Sequence, residues 1–402
     1  MKLSRLAIQN IFNGQSTGEV QIIKFVNNLL EFALEQKASD IHIEPLERAT
    51  RIRLRIDGFL YTALEVASSY HNAIVSRIKI ISSLDIAEKR LPQDGRVDVD
   101  VSGRKVDLRI ATLPVMYGER VVIRVLEKNQ VLLDLTSLDF SEANLEAYEK
   151  IISAPNGMVL LTGPTGSGKS TTLYATLAQL NDEAKNIITI EDPVERTIEG
   201  VQQIAVNNKA GLTFATGLRS ILRQDPNIIM VGEIRDQETA RIAVQSALTG
   251  HLVLSTLHTN NAVGAVTRLL DIGIEPFLVA AALRGVVAQR LVRRICLNCR
   301  EVYPVSQAEL AILGCEPNSG VKLYRGRGCE KCNHTGYRGR MAIQEVLPVT
   351  SELQNLFIKG AEEKILLTQA SANGFATLRQ DCIAKVLAGQ TTVEELLRVA
   401  YC

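Results

Sequence analysis

The octet Gly163-Pro164-Thr165-Gly166-Ser167-Gly168-Lys169-Ser170 fits G-x-x-x-x-G-K-[ST] and lies between the apolar run Met158–Leu161 and a helix-forming run from Thr171. The glycines let main-chain N–H groups approach phosphate oxygens, and a helix N-terminus favours negative charge. Lys169 suits the β/γ-phosphates, Ser170 a Mg²⁺ ion, and Thr171 a further phosphate contact. The chemistry expected is ATP binding. A merely glycine-rich turn would match by chance on the order of once in a hundred chains of this length, before the strand and helix are required.

A second strand pattern, Ile228–Val231, runs into Gly232-Glu233-Ile-Arg-Asp236, which places Glu233 where a carboxylate could polarise an attacking water. The usual motif has Asp where this chain has Gly232, so Mg²⁺ would depend on Ser170, water and the phosphates. Ile187–Ile190 ends likewise in Glu191. Either acid could instead cap a helix or join a surface ion pair. His251 and His258 bracket a third strand. A lone histidine at a strand end is more often a structural hydrogen-bonder, but His258 falls where a phosphate sensor would stand.

Cys296-Leu-Asn-Cys299 and Cys329-Glu-Lys-Cys332 are two knuckles that together could present four thiolates to one Zn²⁺, a closed structural site. Gly326, Gly328 and Gly336 would allow the sharp turn around the second pair. Reduced unliganded thiols or redox chemistry are the alternatives. Cys315, Cys382 and Cys402 have no partner at ligand spacing.

These residues need elements to hold them. Val20–Leu34 carries apolar residues at helical spacing. Arg51–Ile56 alternates, Asp57-Gly58 makes a turn, and Phe59–Leu64 returns; Val97–Val101, Ser102-Gly103 and Val106–Ile110 repeat the arrangement. From Ala143 short apolar strands alternate with helices, the pattern of a mainly parallel sheet. A helical tail begins at Ser351, with breaks expected at Gly374 and Gly389. The divisions expected are an α+β module over 1–130, a linker over 131–142, the α/β nucleotide domain over 143–290, a tetracysteine lobe over 291–340 and a helical region over 341–402.

With 402 residues, 46% hydrophobic and 22% charged, the chain can bury more than one core. Its 45 basic and 44 acidic residues give bulk charge no reason to recruit nucleic acid or an anionic membrane. The start lacks a signal-peptide apolar region, and no apolar run reaches a membrane span; the longest, Pro276–Ala288, is broken by Arg284. In a reducing cytosol CxxC pairs read as metal binding.

Taken with Ala38-Ser-Asp-Ile-His-Ile-Glu-Pro45, Leu91-Pro-Gln-Asp-Gly-Arg96 and Gly118-Glu-Arg-Val-Val-Ile-Arg124, the chain resembles the secretion ATPase superfamily that drives type II secretion and type IV pilus assembly. Ile190–Pro193 resembles its Asp box, Gly232–Asp236 its Walker B and Leu257–Asn260 its His box. Gly118–Val122, Asn261–Arg268 and Ala288–Val292 look closer to the type II members.

The resemblance implies a RecA-like P-loop domain preceded by a smaller PAS-like α+β domain, and a homohexamer in which Arg109, Arg124, Arg219 and Arg223 complete the ATP site; the last two stand i,i+4 on a helix expected over Phe214–Gln224 and would share one face. Arg51, Arg53 and Arg55 read instead as a solvated basic face. It also implies a cytoplasmic location peripheral to the inner membrane, reached through platform proteins that include a recruiter with a cytoplasmic domain. Longer members carry a further domain that docks there, for which this chain has no room before Val20.

The reading expects an ATP hydrolase powering type II secretion, with pilus assembly as the near alternative. A nucleic-acid translocase could use the same core, but no Trp and 4% aromatic residues leave no stacking groove. A small-molecule kinase would have no use for a water-activating Glu233, and a noncatalytic scaffold would show no turnover.

Overall fold

The computed structural model describes residues 19–127, 134–316 and 320–400. It divides into two compact units, Met1–Val131 and Leu132–Cys402.

In the first unit, helix α1 (Glu19–Glu35) precedes β1 (Asp40–Pro45), β2 (Ala49–Ile56), β3 (Phe59–Ala67), helix α2 (His71–Ile81), β4 (Gln93–Val101), β5 (Arg104–Val115) and β6 (Gly118–Glu127). The strands form one antiparallel sheet in the order β3-β2-β1-β6-β5-β4. The two tight hairpins follow from Asp57 (φ 50) with Gly58 (φ 90) and Ser102 (φ 53) with Gly103 (φ 80), both pairs left-handed as a type I′ turn requires. Period-two patterning gives the sheet one apolar face, where Ile41, Ile52, Leu54, Ile110 and Ile123 pack with Phe25 and Leu29 of α1 and Ile74 of α2. The other face is charged. Arg51 and Arg53 reach Glu44 at 2.9 and 2.5 Å, and Arg55 reaches Asp40 at 3.5 Å, so the expected basic face is an ion-paired one.

The second unit contains α3 (Glu142–Ile152), β7 (Gly157–Thr162), α4 (Lys169–Leu180), β8 (Ile187–Glu191), β9 (Gln202–Ala205), α5 (Phe214–Ile221), β10 (Ile228–Val231), α6 (Gln237–Leu248), β11 (Leu252–Leu257), α7 (Ala262–Asp271) and α8 (Pro276–Ala282). Then come β12 (Leu283–Ile295), β13 (Arg300–Tyr303), α9 (Gln307–Leu313), β14 (Leu323–Gly326), β15 (Tyr337–Pro348), α10 (Ser351–Ile358), α11 (Glu363–Ala372), α12 (Leu378–Leu387) and α13 (Val393–Ala400). Seven strands order β15-β12-β7-β11-β10-β8-β9, all parallel to their neighbours except β15. Helices α3 and α4 cover one face of the sheet, and α5 to α8 with the tail cover the other.

Three expected divisions fall differently. The boundaries at 290/291 and 340/341 lie inside β12 and β15, because these strands pair from Gly285↔Pro348 to Ile295↔Tyr337 and carry the cysteine lobe as an extension of the sheet. The expected linker is packed: Leu135 is fully buried and Phe140 stacks on Tyr148 at 5.5 Å. Residues 131–133 of it, like Cys402, lie outside the described residues. The helix expected over Phe214–Gln224 ends at Ile221, ahead of Asp225 (φ 49) and Pro226, whose ring disfavours helix before it.

The outer edge of β15 is covered by side chains around Ala342 and Gln344. Asp381 accepts the Gln344 N–H at 2.9 Å, Lys385 donates to the Ala342 carbonyl at 2.7 Å, and Asn144 donates to the Gln344 carbonyl at 2.9 Å. Main-chain groups that an edge strand leaves open are thereby satisfied.

Candidate nucleotide site and cysteine cluster

Strand β7 is buried along its whole length and delivers the chain to the glycine-rich loop at the carboxyl edge of the sheet. Gly163 (φ 144), Gly166 (φ 79) and Gly168 (φ 90) bend the loop back on itself. A Cβ at Gly163 would lie 2.4 Å from the Gln289 carbonyl oxygen, and one at Gly168 2.8 Å from Gln289 Nε2, so glycine is the residue that passes. Pro164, Thr165, Gly166 and Ser170 are exposed, whereas Ser167 is buried with its hydroxyl unpartnered. A cradle of exposed backbone around an orphaned hydroxyl, opening a twelve-residue helix, fits a phosphate ligand. Lys169 Nζ donates to the carbonyls of Gly163 and Pro164 at 2.6 and 3.1 Å. Burial lowers its pKa, Glu233 opposes that shift, and Arg290 adds to it.

Glu233 follows β10 and His258 follows the adjacent β11. The Glu233 carboxylate, 15% exposed, lies 2.6 Å from Arg235 and 3.5 Å from His258 Nε2. Lys169, Glu233 and His258 thus share one sheet edge. The position of the missing Asp is closely packed: a Cβ at Gly232 would lie 3.3 Å from the Ile190 carbonyl oxygen and 3.4 Å from Glu191 Cα.

Glu191 is 5% exposed and already holds three donors: the Tyr174 hydroxyl of α4, Thr189 at 2.6 Å and Gln203 at 3.0 Å. It ties the helix after the loop to β8. His251, at the opposite end of β11, bonds the Ser246 carbonyl at 2.9 Å, a structural role.

Arg109 and Arg124 belong to the first unit and stand directly opposite each other on β5 and β6. Like charges so placed repel, and each leans on an acid, Arg109 on Asp107 at 3.7 Å and Arg124 on Asp40 at 3.1 Å. Arg219, on α5, pairs with Glu238 at 2.6 Å. Arg223 lies beyond the helix end and folds back onto the Arg219 carbonyl at 2.9 Å, so the pair does not share one helical face as its spacing suggested.

Cys296, Cys299, Cys329 and Cys332 converge with their four sulfurs within 4.8 Å of one another. Neighbouring Sγ atoms stand 3.7 to 3.9 Å apart. A tetrahedron with metal–sulfur bonds of about 2.3 Å has edges of about 3.8 Å, so the thiols fit one zinc-sized ion. Gly328 (φ 92) and Gly336 (φ 80) make turns, while Gly326 serves close approach: its Cβ would lie 2.0 Å from the Gly336 carbonyl oxygen. Cys382 is fully buried, and burial pushes its thiol up to about 12, leaving it unreactive.

Three contributors escape motif reading. Gln289 and Arg290 interrupt the apolar stretch Val286–Val292 of β12 and touch both sides of the nucleotide edge. Thr162, at the end of β7, accepts the Thr259 N–H at 2.8 Å and so ties the His258 loop to the strand before the glycines. The signal in sequence was only a polar pair inside Val286–Val292.

The fold and this edge define a P-loop ATPase. Residues 15–398 match the family described as Type II/IV secretion system protein, and the chain belongs to that family. It is 50% identical over 381 residues to the type II secretion system protein E of Aeromonas hydrophila, covering 95% of this chain and 76% of that one. The type II secretion system ATPase E of Vibrio cholerae is 50% identical over 385 residues, 96% of this chain and 76% of the other. Among solved structures, the Legionella pneumophila ATPase DotB superposes with TM-score 0.69 at 21% identity, covering 94% and 96% of the two chains. The pilus retraction motor PilT with bound ADP gives 0.62 at 24%, covering 93% and 96%. Both share the fold. Among the described residues no helix is long and apolar enough to cross a membrane.

Proposed function

We propose that this chain hydrolyses ATP to ADP and phosphate to power type II protein secretion, and that Lys169, Glu233 and His258 carry the reaction. The observation that supports this most is their meeting at the carboxyl edge of the parallel sheet, with Glu233 3.5 Å from His258 and in the field of Lys169. Main-chain N–H groups of Gly163 to Gly168, with Lys169 and Thr171, hold the phosphates; Ser170 holds Mg²⁺, which when bound supplies charge neutralisation at the β- and γ-oxygens. Glu233 orients the attacking water and receives its proton. His258 reads the phosphate end, and Glu191 braces the loop helix.

The motor is a homohexamer in this reading, in which Arg109, Arg124, Arg219 and Arg223 supply the cations that the loop lacks. It sits at the cytoplasmic side of an inner membrane through platform proteins, including a recruiter with a cytoplasmic domain, and takes no nucleic acid. The four cysteines hold one structural Zn²⁺. The test is phosphate release per chain against protein concentration. A steep rise as chains assemble is expected; a flat rate would remove the shared site, and no phosphate release at any concentration would remove the hydrolase.

A further inference from the structure

Gln289 and Arg290 are neighbours on β12, so their side chains leave opposite faces of the sheet. The Gln289 amide, 2% exposed, donates from Nε2 to the Ser167 carbonyl at 2.9 Å and accepts from the Thr172 hydroxyl at 2.8 Å, spanning the glycine loop and the first turn of α4. Arg290 Nη2 donates to the Asn260 carbonyl at 3.2 Å and to its Oδ1 at 3.0 Å, two residues beyond His258, while its Nε is buried without a partner. Burying an amide and half-burying a guanidinium within the apolar stretch Val286–Val292 is unfavourable unless their bonds serve something. Both sets of bonds end at the nucleotide edge, one on the glycine loop and the helix it opens, the other on the His258 loop.

We infer that Gln289 and Arg290 are positioning residues for ATP hydrolysis, Gln289 holding the phosphate cradle and Arg290 holding the His258 loop at a fixed distance from it. The inference rests on that edge being the hydrolytic site. β12 suits the task because it pairs with β7 as far as Ala288 and with β15 through both residues, Gln289 opposite Gln344 and Arg290 opposite Ile343, which holds the peptide linking them in register. A displacement of about 1 Å at such an edge costs on the order of 10²-fold in rate. The two grips predict opposite kinetic signatures. Loosening the cradle weakens nucleotide binding, whereas loosening the His258 loop spares binding and slows the chemical step.

The experiment compares full chains carrying Gln289→Met, Arg290→Lys, Asn260→Ala and the Arg290→Lys/Asn260→Ala pair. Each is titrated with a fluorescent ATP analogue for affinity and sites per chain, then assayed for phosphate release. Gln289→Met is expected to raise Kd and KM about tenfold or more, with full stoichiometry. Arg290→Lys is expected to keep Kd within about threefold and lower kcat about tenfold or more. Asn260→Ala, on an exposed loop, should lower kcat in the same way, and the pair should be no slower than Arg290→Lys alone. Parental kcat in both Arg290→Lys and Asn260→Ala, or multiplicative losses in the pair, would overturn the inference. So would variants whose activity falls only in step with their number of binding sites, the mark of a merely structural role. Failure of the site reading itself shows separately, as parental nucleotide affinity in Lys169→Ala.

Discussion

His258 Nε2 stands 3.5 Å from Glu233 Oε2, each presented by the loop after one of two adjacent parallel strands. A carboxylate so placed, also held by Arg235 at 2.6 Å, is oriented before any substrate arrives. Glu233→Gln keeps the shape and loses the proton acceptor. ATP affinity should stay near that of the parent while phosphate release falls about 10²-fold or more. Parental turnover in the purified variant would remove Glu233 from the chemistry.

Lys169→Ala should abolish nucleotide binding with the fold intact. Among the described residues its ammonium bonds the loop carbonyls of Gly163 and Pro164 and is disfavoured by burial, so removing it should cost the apo protein little. The check is thermal: the parent's Tm rises with added ATP, as for any ligand that binds only the folded state, and the variant's does not.

The arginines are tested by mixing. If they act across subunits, Lys169→Ala chains combined with Arg109, Arg124, Arg219 or Arg223 variants should regain activity where an intact loop meets an intact arginine, a contribution worth about 10³ to 10⁵ in rate. Absence of rescue for all four would place them within their own chain. The Arg219–Glu238 pair is exposed on both sides and holds Arg219 weakly, so it leaves that side chain free to be recruited.

Metal analysis of protein prepared without chelator should find one zinc per chain, and Cys332→Ser should lose it. Because small metal lobes draw much of their folding free energy from the ion, proteolysis of that variant should begin between Arg293 and Arg340. Zinc-free parent protein would refute the assignment.

Acid should loosen the tail. Burial would raise the pKa of fully buried Glu395, but the bonds from Arg398 and Arg293 outweigh it and hold the carboxyl below its ordinary 4.5. A depressed carboxylate stabilises the fold above the unfolded-state value and loses that contribution as pH falls through the folded one. Glu395→Ala should cost about 3 kcal/mol at neutral pH, since it removes the buried carboxylate partner of the nearly buried Arg293. Glu395→Gln should show a flatter loss of stability than the parent below about pH 4.5, followed by chemical denaturation at each pH.

The glycine loop, the hairpins at Asp57-Gly58 and Ser102-Gly103, and the cysteine knuckles were legible because each needs particular residue types at fixed short spacing. What sequence hid depends on contacts far apart in the chain. Gln289 meets Ser167 only because β12 returns beside β7. Glu191 looked like an available strand-end acid because Tyr174 and Gln203, which occupy it, come from other elements. Arg223 seemed to share a helical face with Arg219, but spacing cannot see where a helix stops. The lobe looked separate because the cysteines are local, while the two strands that carry it are defined by their pairing.

The sealing of β15 bears on how copies of this chain can meet. An uncovered strand margin recruits another strand, which leaves a fresh margin for the next, and such head-to-tail addition propagates into fibres instead of closing. With Asp381 and Lys385 occupying the main-chain groups of Gln344 and Ala342, that route is blocked on this side of the sheet. On this margin, contact between copies is left to side-chain surfaces, whose fixed geometry can terminate, and the carboxyl-terminal helix that carries Asp381 and Lys385 is what keeps strand addition off it.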